Sequence, residues 1–228
     1  MNNFLNSSLG RKVVMAATGL FLCVFLIEHL YGNVLLYAGD GGEAFNEYSH
    51  DAVRSIIIRI IEVVLFVAIV LHVLQAILLT RQNAIARPVK YAVTKVNETS
   101  TWFSRNMGIT GSIIFFFIVV HLYQFFVPYR IAGLENGETV AGKVAEAFTN
   151  PYYAGLYIIS VMFLSFHLNH GFQSAFQSIG LNNKKYSSIW KMAGTGFAAL
   201  MGFGFGSFPI IFYIGHKIGW DVLNWTHN

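Results

Sequence analysis

Long stretches almost free of charged side chains dominate this sequence of 228 residues. Five segments carry at most one Asp, Glu, Lys or Arg each: 13–37, 60–80, 106–129, 147–183 and 192–216. A helix needs about 20 apolar residues to cross the roughly 30 Å of hydrocarbon in a bilayer, and every segment is long enough. We therefore predict an all-α membrane protein with five transmembrane helices, at about 12–37, 54–80, 106–129, 152–179 and 191–216.

Turn-forming residues mark the predicted helix ends. The run from Gly39 to Gly42 ends the first helix, Pro128 ends the third and Gly180 closes the fourth, which Asn150 and Pro151 begin. No connecting loop exceeds about 25 residues, so we predict one membrane domain over 1–228. Any chemistry on a water-soluble substrate would then belong to a partner.

The composition excludes several other classes of protein. Charged residues make up 11% of the chain, whereas soluble domains contain about 25%. The net charge of +4 comes from basic residues scattered between apolar runs, so we expect no nucleic-acid partner. With Cys23 as the single cysteine, the chain has no Cys-x-x-Cys site for zinc, an iron–sulfur cluster or covalently attached haem.

Lys and Arg are divided unequally between the two sides of the predicted membrane. The side that holds the N-terminus carries ten of them and the other side five. Basic loops remain cytoplasmic, so we predict a cytoplasmic N-terminus and an external C-terminus. The ten are Arg11, Lys12, Arg81, Arg87, Lys90, Lys95, Arg105, Lys184, Lys185 and Lys191.

Five of the eight histidines fall inside the predicted helices, where an ionisable side chain is a functional candidate by default. At 1.5 Å per residue, His29 and His121 lie about 25 Å from the cytoplasmic helix ends and His72 about 14 Å. The fourth helix offers His167 at about 20 Å and His170 at about 15 Å. We infer an outer pair, His29 with His121, and an inner pair, His72 with either His167 or His170. Two levels of paired imidazoles in the core of the first four helices are suited to two b-type haems, because neutral imidazole is a good iron ligand.

Two alternatives remain open on these residues. Any single histidine could be a packed core residue bonded to a helix carbonyl, although four such cases at two matched depths are less expected together. A secondary transporter or proton-conducting bundle would also place ionisable groups in the membrane, but more typically as chains of acids with broken helices. The only acids inside the predicted spans are Glu28 and Glu62.

The order and spacing of several short motifs resemble the five-helix, di-haem cytochrome b subunit of bacterial succinate:quinone and quinol:fumarate oxidoreductases. The likeness extends over essentially the whole chain. Its motifs are Gly19-Leu20-Phe21-Leu22, Glu28-His29-Leu30, Glu43-Ala44-Phe45-Asn46 before His50, Leu71-His72, Thr110-Gly111 before His121-Leu122-Tyr123, and Phe166-His167 with Gly171.

The resemblance implies a bacterial inner-membrane protein that is a subunit of succinate dehydrogenase and does not itself oxidise succinate. Flavoprotein and iron–sulfur subunits would dock on the cytoplasmic face, and electrons would pass through an inner and then an outer haem b to a quinone near the outer surface. The family's ligand positions carry over as His29 with His121 and His72 with His167. Its His-x-x-x-Gly spacing selects His167, whereas depth slightly favours His170. The cytochrome b of another respiratory dehydrogenase is a further alternative.

Other candidates concern the quinone and the haem carboxylates. Glu28, Glu62 and His50 are candidates for a quinone or proton site, and Arg59 is expected to form an intrahelical ion pair with Glu62 or to hold it as a quinone-site acid. Tyr48, Asp51 and Arg54 lie in the same outer loop as His50. Near the inner surface, one or two of Arg11, Arg105 and Lys184 are expected to pair with haem propionates.

The residue at position 165 bears on the direction of electron transfer. Some fumarate reductases of the family carry a Glu two residues before the fourth-helix ligand that moves a compensating proton, and here that position is Ser165. A serine hydroxyl does not lose or gain a proton near physiological pH. We therefore expect uncompensated charge movement and a succinate dehydrogenase that uses the membrane potential to reduce menaquinone.

Overall fold

The chain folds into seven helices within the residues that the computed structural model describes, which are 7–85, 105–135, 137–183 and 185–224. They are α1 Ser8–Val34, α2 Glu43–Arg54, α3 Ile56–Ile85, α4 Met107–His121, α5 Val140–Thr149, α6 Pro151–Ser178 and α7 Ser187–Ile218. A 3₁₀ turn, Leu35–Tyr37, extends α1, and a π-helical segment, Leu122–Ala132, extends α4.

Five of these helices are long and apolar enough to cross a membrane, at Ser8–Tyr37, Ile56–Ile85, Met107–Ala132, Pro151–Ser178 and Ser187–Ile218. This confirms the predicted all-α membrane fold with five spans. Their outward faces are apolar and exposed, as on α3, where Ile56 is 72% and Val63 64% exposed. Such a surface suits contact with lipid. Helices can cross the bilayer because their backbone N–H and C=O groups are hydrogen-bonded within the helix.

The helix ends follow the local sequence at some points and differ at others. Asn150 caps α6 by accepting a hydrogen bond from the backbone N–H of Tyr152 at 2.9 Å, as the Asn-Pro pair predicts. Gly180 adopts a φ of 81° just after α6, which favours glycine. Pro128 does not end the third span, which continues past it as a π-helix to Ala132.

The spans α1, α3, α4 and α6 surround one interior, and α7 packs outside them against α6 and α1. The contact between α3 and α4 is the slightest in this ring. The glycines of α7 allow close approach, because a Cβ on Gly204 would lie 2.8 Å from Leu30 and one on Gly202 2.9 Å from Ser165. The first four spans therefore form the bundle, as predicted.

Two short helices that the sequence does not predict, α2 and α5, cover one end of the bundle and are here called the cap. Asn46 of α2 accepts a hydrogen bond from the backbone N–H of Ala141 in α5 at 2.9 Å, and Gly41 donates to the carbonyl of Leu223 at 2.8 Å. Phe45 and Phe148 bury their rings beneath the cap. Of the ten basic residues predicted to face the cytoplasm, Arg87, Lys90, Lys95 and Lys184 lie outside the described residues.

Candidate functional site: two imidazole pairs inside the bundle

Four helices each contribute one histidine to the interior, and the structure brings them together as two pairs. The rings of His29 and His121 have centroids 5.8 Å apart and planes inclined by 85°. Those of His72 and His167 have centroids 6.5 Å apart and planes inclined by 65°. Two imidazoles that bind one metal through bonds of about 2 Å have ring centroids roughly 6 Å apart, so each pair has the spacing of a two-histidine metal site.

The inner pair, His72 with His167, is oriented by two threonines. The hydroxyl of Thr18 lies 3.1 Å from Nδ1 of His72, and that of Thr110 lies 3.3 Å from Nδ1 of His167. Each hydroxyl donates its single proton to a carbonyl of its own helix, Thr18 to Val14 at 2.9 Å and Thr110 to Met107 at 3.1 Å. The imidazole Nδ1 must therefore be the donor in both contacts, which leaves the lone pair of Nε2 available for a metal.

The outer pair, His29 with His121, lies among aromatic rings. Phe25 stacks on the ring of His29 with centroids 5.3 Å apart, and Phe205 lies 5.5 Å from the same ring. Phe125 contacts the ring of His121 at 5.4 Å. An apolar surround of this kind excludes water from the space between the two imidazoles.

Two glycines leave room for the imidazole rings of the inner pair. Gly19 and Gly111 face the inner imidazoles, since a Cβ on Gly19 would lie 3.2 Å from Cε1 of His72 and one on Gly111 3.6 Å from Cε1 of His167. Gln75, three residues after His72, holds a buried side-chain oxygen that has no hydrogen-bond partner among the residues that the structure describes. A buried amide oxygen in this state needs a hydrogen-bond donor that the described residues do not supply. The chemistry of the paired imidazoles and their centroid spacings of 5.8 and 6.5 Å are what fit the iron of a haem.

His170 lies elsewhere. It lines a cavity of about 220 Å³ between α6 and α7, together with Gln173, Asn182 and Lys191, while His167 faces His72. This arrangement supports His167 as the partner of His72. It therefore agrees with the His-x-x-x-Gly spacing, which selects His167, and not with the depth estimate, which slightly favours His170.

The three residues expected at a quinone or proton site have different partners. Glu28, exposed on α1, accepts a hydrogen bond from the hydroxyl of Tyr48 in the cap. Burial and this carboxylate raise the pKa of Tyr48 above its ordinary value. His50 is 56% exposed, with Nδ1 3.8 Å from Asp51.

Glu62 forms an ion pair with Arg130 of the third span, whose Nε donates to Oε1 at 2.9 Å and whose Nη2 donates to Oε2. The expected pair with Arg59 is therefore wrong. The Nε of Arg59 instead donates to the carbonyl of Val53 at 3.4 Å. Glu62 turns towards the third span because the π-helical segment carries Arg130 against α3.

Arg105 lies on the predicted cytoplasmic side, two residues before α4 begins, and is exposed. Arg11 is on the first turn of α1, and Lys184 is outside the described residues.

The sequence did not identify the three residues whose hydroxyls contact the histidines, which are Thr18, Thr110 and, at 3.2 Å from Nδ1 of His121, Tyr157. The one local signal was the Thr110-Gly111 motif, which by itself indicates no contact with a histidine. Among the described residues, no group of three or more His, Cys, Asp or Glu could hold a metal ion, so the histidine pairs are the candidate metal sites.

Comparisons with known proteins identify the family of this chain. Residues 83–203 match the family described as the succinate dehydrogenase/fumarate reductase transmembrane subunit. The chain is also 26% identical, over 66% of its own length and 69% of the relative's, to the succinate dehydrogenase cytochrome b558 subunit of Bacillus subtilis (strain 168). No solved structure matches it significantly. Because the matched segment covers more than half of the sequence and the five spans have the expected form, the chain belongs to the succinate dehydrogenase/fumarate reductase transmembrane subunit family, a family of multi-pass membrane proteins.

Proposed function

We propose that this chain is the membrane cytochrome b subunit of a succinate dehydrogenase and passes electrons from an iron–sulfur subunit through two b haems to menaquinone. The observation that carries the proposal is the pair of two-histidine sites on four different helices, with centroid spacings of 5.8 and 6.5 Å. When bound, each haem supplies a one-electron carrier.

The chain's own residues hold and orient these carriers. His29 with His121 would ligate the outer haem and His72 with His167 the inner one. Thr18 and Thr110 hold Nδ1 of the inner imidazoles, which would leave Nε2 of each free to ligate the haem iron. Arg105, at the same end of α4 as the predicted cytoplasmic surface, would meet an inner-haem propionate. The flavoprotein and iron–sulfur subunits would dock on that surface.

The quinone would bind near the cap end, where the outer pair lies. Glu62 and Glu28 are carboxylates on the bundle, each already hydrogen-bonded to one partner, Arg130 and Tyr48. His50 is exposed on the cap. Each of the three could deliver a proton to a reduced quinone oxygen, because each has an oxygen or nitrogen that can exchange protons with water.

The haem count tests the proposal directly. The complex, purified in detergent, is expected to show a Soret band and reduced α-bands that correspond to two haems per chain. His29→Ala should remove one haem and spare the other, and His72→Ala should remove the second. A correctly folded but colourless protein would refute the proposal and favour a transporter or proton-conducting bundle. Loss of the inner haem from His170→Ala, with His167→Ala retaining it, would overturn the ligand assignment on α6.

We also propose that electron transfer to the quinone is electrogenic. Ser165, at the position where some relatives carry a proton-moving Glu, donates its hydroxyl to the carbonyl of Ala198 on α7 at 2.9 Å. It is thus engaged with a helix outside the bundle. Each charge that crosses the membrane gains or costs about 2.3 kcal/mol per 100 mV.

Sealed, energised vesicles distinguish electrogenic transfer from transfer that a moving proton compensates. Succinate-to-menaquinone turnover should fall when an uncoupler collapses the potential, because the transfer is then no longer driven outward. Turnover that is unchanged by the uncoupler would refute the electrogenic reading. Succinate reduction of an artificial acceptor at the flavoprotein is the control and should not respond.

A further inference from the structure

Tyr157 occupies a position in the bundle that neither the family match nor the histidine pairing explains. It lies on α6, is only 6% exposed, and has its hydroxyl 3.2 Å from Nδ1 of His121. Phe117 meets its ring edge-on with centroids 4.8 Å apart, and Phe148 of the cap does so at 5.1 Å. The ring therefore has little freedom to turn its hydroxyl away from His121.

The polarity of this contact follows from the next hydrogen bond. The Tyr157 hydroxyl donates its only proton to Oε1 of Gln124, at 3.1 Å. The oxygen of Tyr157 must then accept the Nδ1 proton of His121. His121 is thereby fixed in the tautomer whose Nε2 lone pair is free.

We propose that Tyr157, held by Gln124, is the positioning residue of the outer imidazole pair. It sets the tautomer and orientation of His121 and increases the electron density at Nε2, as hydrogen-bond acceptors behind ligating histidines do. This inference rests on the proposed haem-binding function and extends it to residues outside the ligand set.

The chain of hydrogen bonds ends at the surface. Gln124 lines a cavity of about 320 Å³ at the cap end, with Lys143, Asn150 and Tyr153. Gln124 can therefore be replaced without opening the aromatic enclosure of Tyr157. Tyr153, one helical turn before Tyr157 on α6 and lining the same cavity, provides a matched control.

The experiment measures the midpoint potential and the electron paramagnetic resonance spectrum of each haem in the purified complex. The outer signal is identified as the one that His29→Ala removes. In Tyr157→Phe the outer potential should rise, since the loss of the acceptor makes Nε2 a poorer ligand for oxidised iron. A tenfold change in relative affinity for the two oxidation states corresponds to about 59 mV for one electron. The inner potential should not change.

Two further variants complete the test. Gln124→Leu should shift the outer potential in the same direction as Tyr157→Phe and by less, because it removes the acceptor that holds the Tyr157 hydroxyl. Tyr153→Phe should leave both potentials unchanged. If the Tyr157→Phe complex fails to assemble, Gln124→Leu decides the matter.

An unchanged outer potential and spectrum in Tyr157→Phe would overturn the proposal, as would equal shifts at both haems. An unchanged potential in Gln124→Leu would overturn the part assigned to Gln124. Failure of the proposed function would look different, because the wild-type complex would then lack two haem signals.

Discussion

Arg130 and Glu62 form a two-pronged ion pair between the second and third spans, across 68 residues of sequence. The side chain of Arg130 is 12% exposed and that of Glu62 is 24% exposed. Because both sit within apolar spans, each neutralises a charge that would otherwise be costly in lipid. The pair also joins α3 to the third span near the weakest contact of the bundle.

Removal of one partner should destabilise the protein. Arg130→Ala or Glu62→Ala is expected to cost about 2 kcal/mol, the value of a charge-assisted hydrogen bond that loses its partner. The measurement is the thermal unfolding temperature of the complex in detergent.

The control is Arg59→Ala, three residues from Glu62 and exposed, which should change the unfolding temperature little. The exchanged double variant, with Glu62→Arg and Arg130→Glu, should recover much of the loss. If the double variant were as unstable as the two single variants combined, the pair would not be the source of the stability.

The sequence predicts the spans well because lipid imposes one simple demand, which is the absence of charge over about 20 residues. Depth along a helix is a simple count, and it predicts the pairing of His29 with His121, but it leaves the partner of His72 open between His167 and His170, whereas the structure places His167 beside His72. The sequence does not predict Arg130 as the partner of Glu62, since that contact depends on the π-helical segment. The cap helices are missed because their charged, amphipathic sequence resembles a loop between spans.

The roles of Thr18 and Thr110 could not be read from the sequence for a different reason. A threonine inside a helix commonly bonds to a carbonyl of the preceding turn, and both residues do so. The additional contact with an imidazole on another helix has no local signature.

The inner pair should respond to loss of its threonine contacts. Thr110→Val keeps the shape of this fully buried side chain and removes the acceptor for Nδ1 of His167, so inner-haem affinity should fall 10- to 100-fold. Haem content and the inner midpoint potential are the measurements.

Thr110→Ser should restore both properties, because the hydroxyl returns. Ser112→Ala is the control, since Ser112 is exposed on the same helix and bonds to the carbonyl of Gly108. An inner haem that is retained with its wild-type potential in Thr110→Val would show that the contact has no such role.

Gly32 leaves the space in which the Tyr48 ring approaches α1. A Cβ on Gly32 would lie 2.7 Å from Cε1 of Tyr48, so Gly32→Ala must displace that ring from Glu28. We expect a loss of about 1–3 kcal/mol from overpacking and lower quinone reductase activity if Glu28 acts in that reaction.

Tyr48→Phe separates the two effects, since it removes the hydrogen bond without a clash. Gly196→Ala is the control, because a Cβ there meets nothing within 4 Å. Equal stability of Gly32→Ala and Gly196→Ala would contradict the prediction.

Asp40 gives the cap a dependence on acid pH. Its carboxylate accepts the backbone N–H groups of Ala44 and Gly42, each at 2.9 Å, and the first of these contacts does most to lower its pKa. A group whose pKa is lower in the folded state stabilises that state fully above its unfolded pKa of about 3.9. The contribution is lost as the pH falls through the folded value.

Asp40→Asn should therefore lower stability at neutral pH by about 1 kcal/mol or less, as for a weakened helix cap, and flatten the stability profile below about pH 4. Unfolding temperature measured from pH 3 to pH 7 tests this. Glu47→Gln, exposed on α2, is the control. A steeper acid profile in Asp40→Asn than in the wild type would show that the sign is wrong.

The π-helical segment from Leu122 to Ala132 has a consequence for evolutionary comparison. A π-helix has about one residue more per turn than an α-helix, because its hydrogen bonds join residues five apart instead of four apart. Deletion of a single residue there would tighten the coil and rotate everything beyond it, including Arg130, to a different face. When relatives are aligned, a gap of one position just after His121 should thus be treated as a change of helix winding. In a relative with one residue fewer there, an ungapped count from His121 would match Arg130 with the wrong residue.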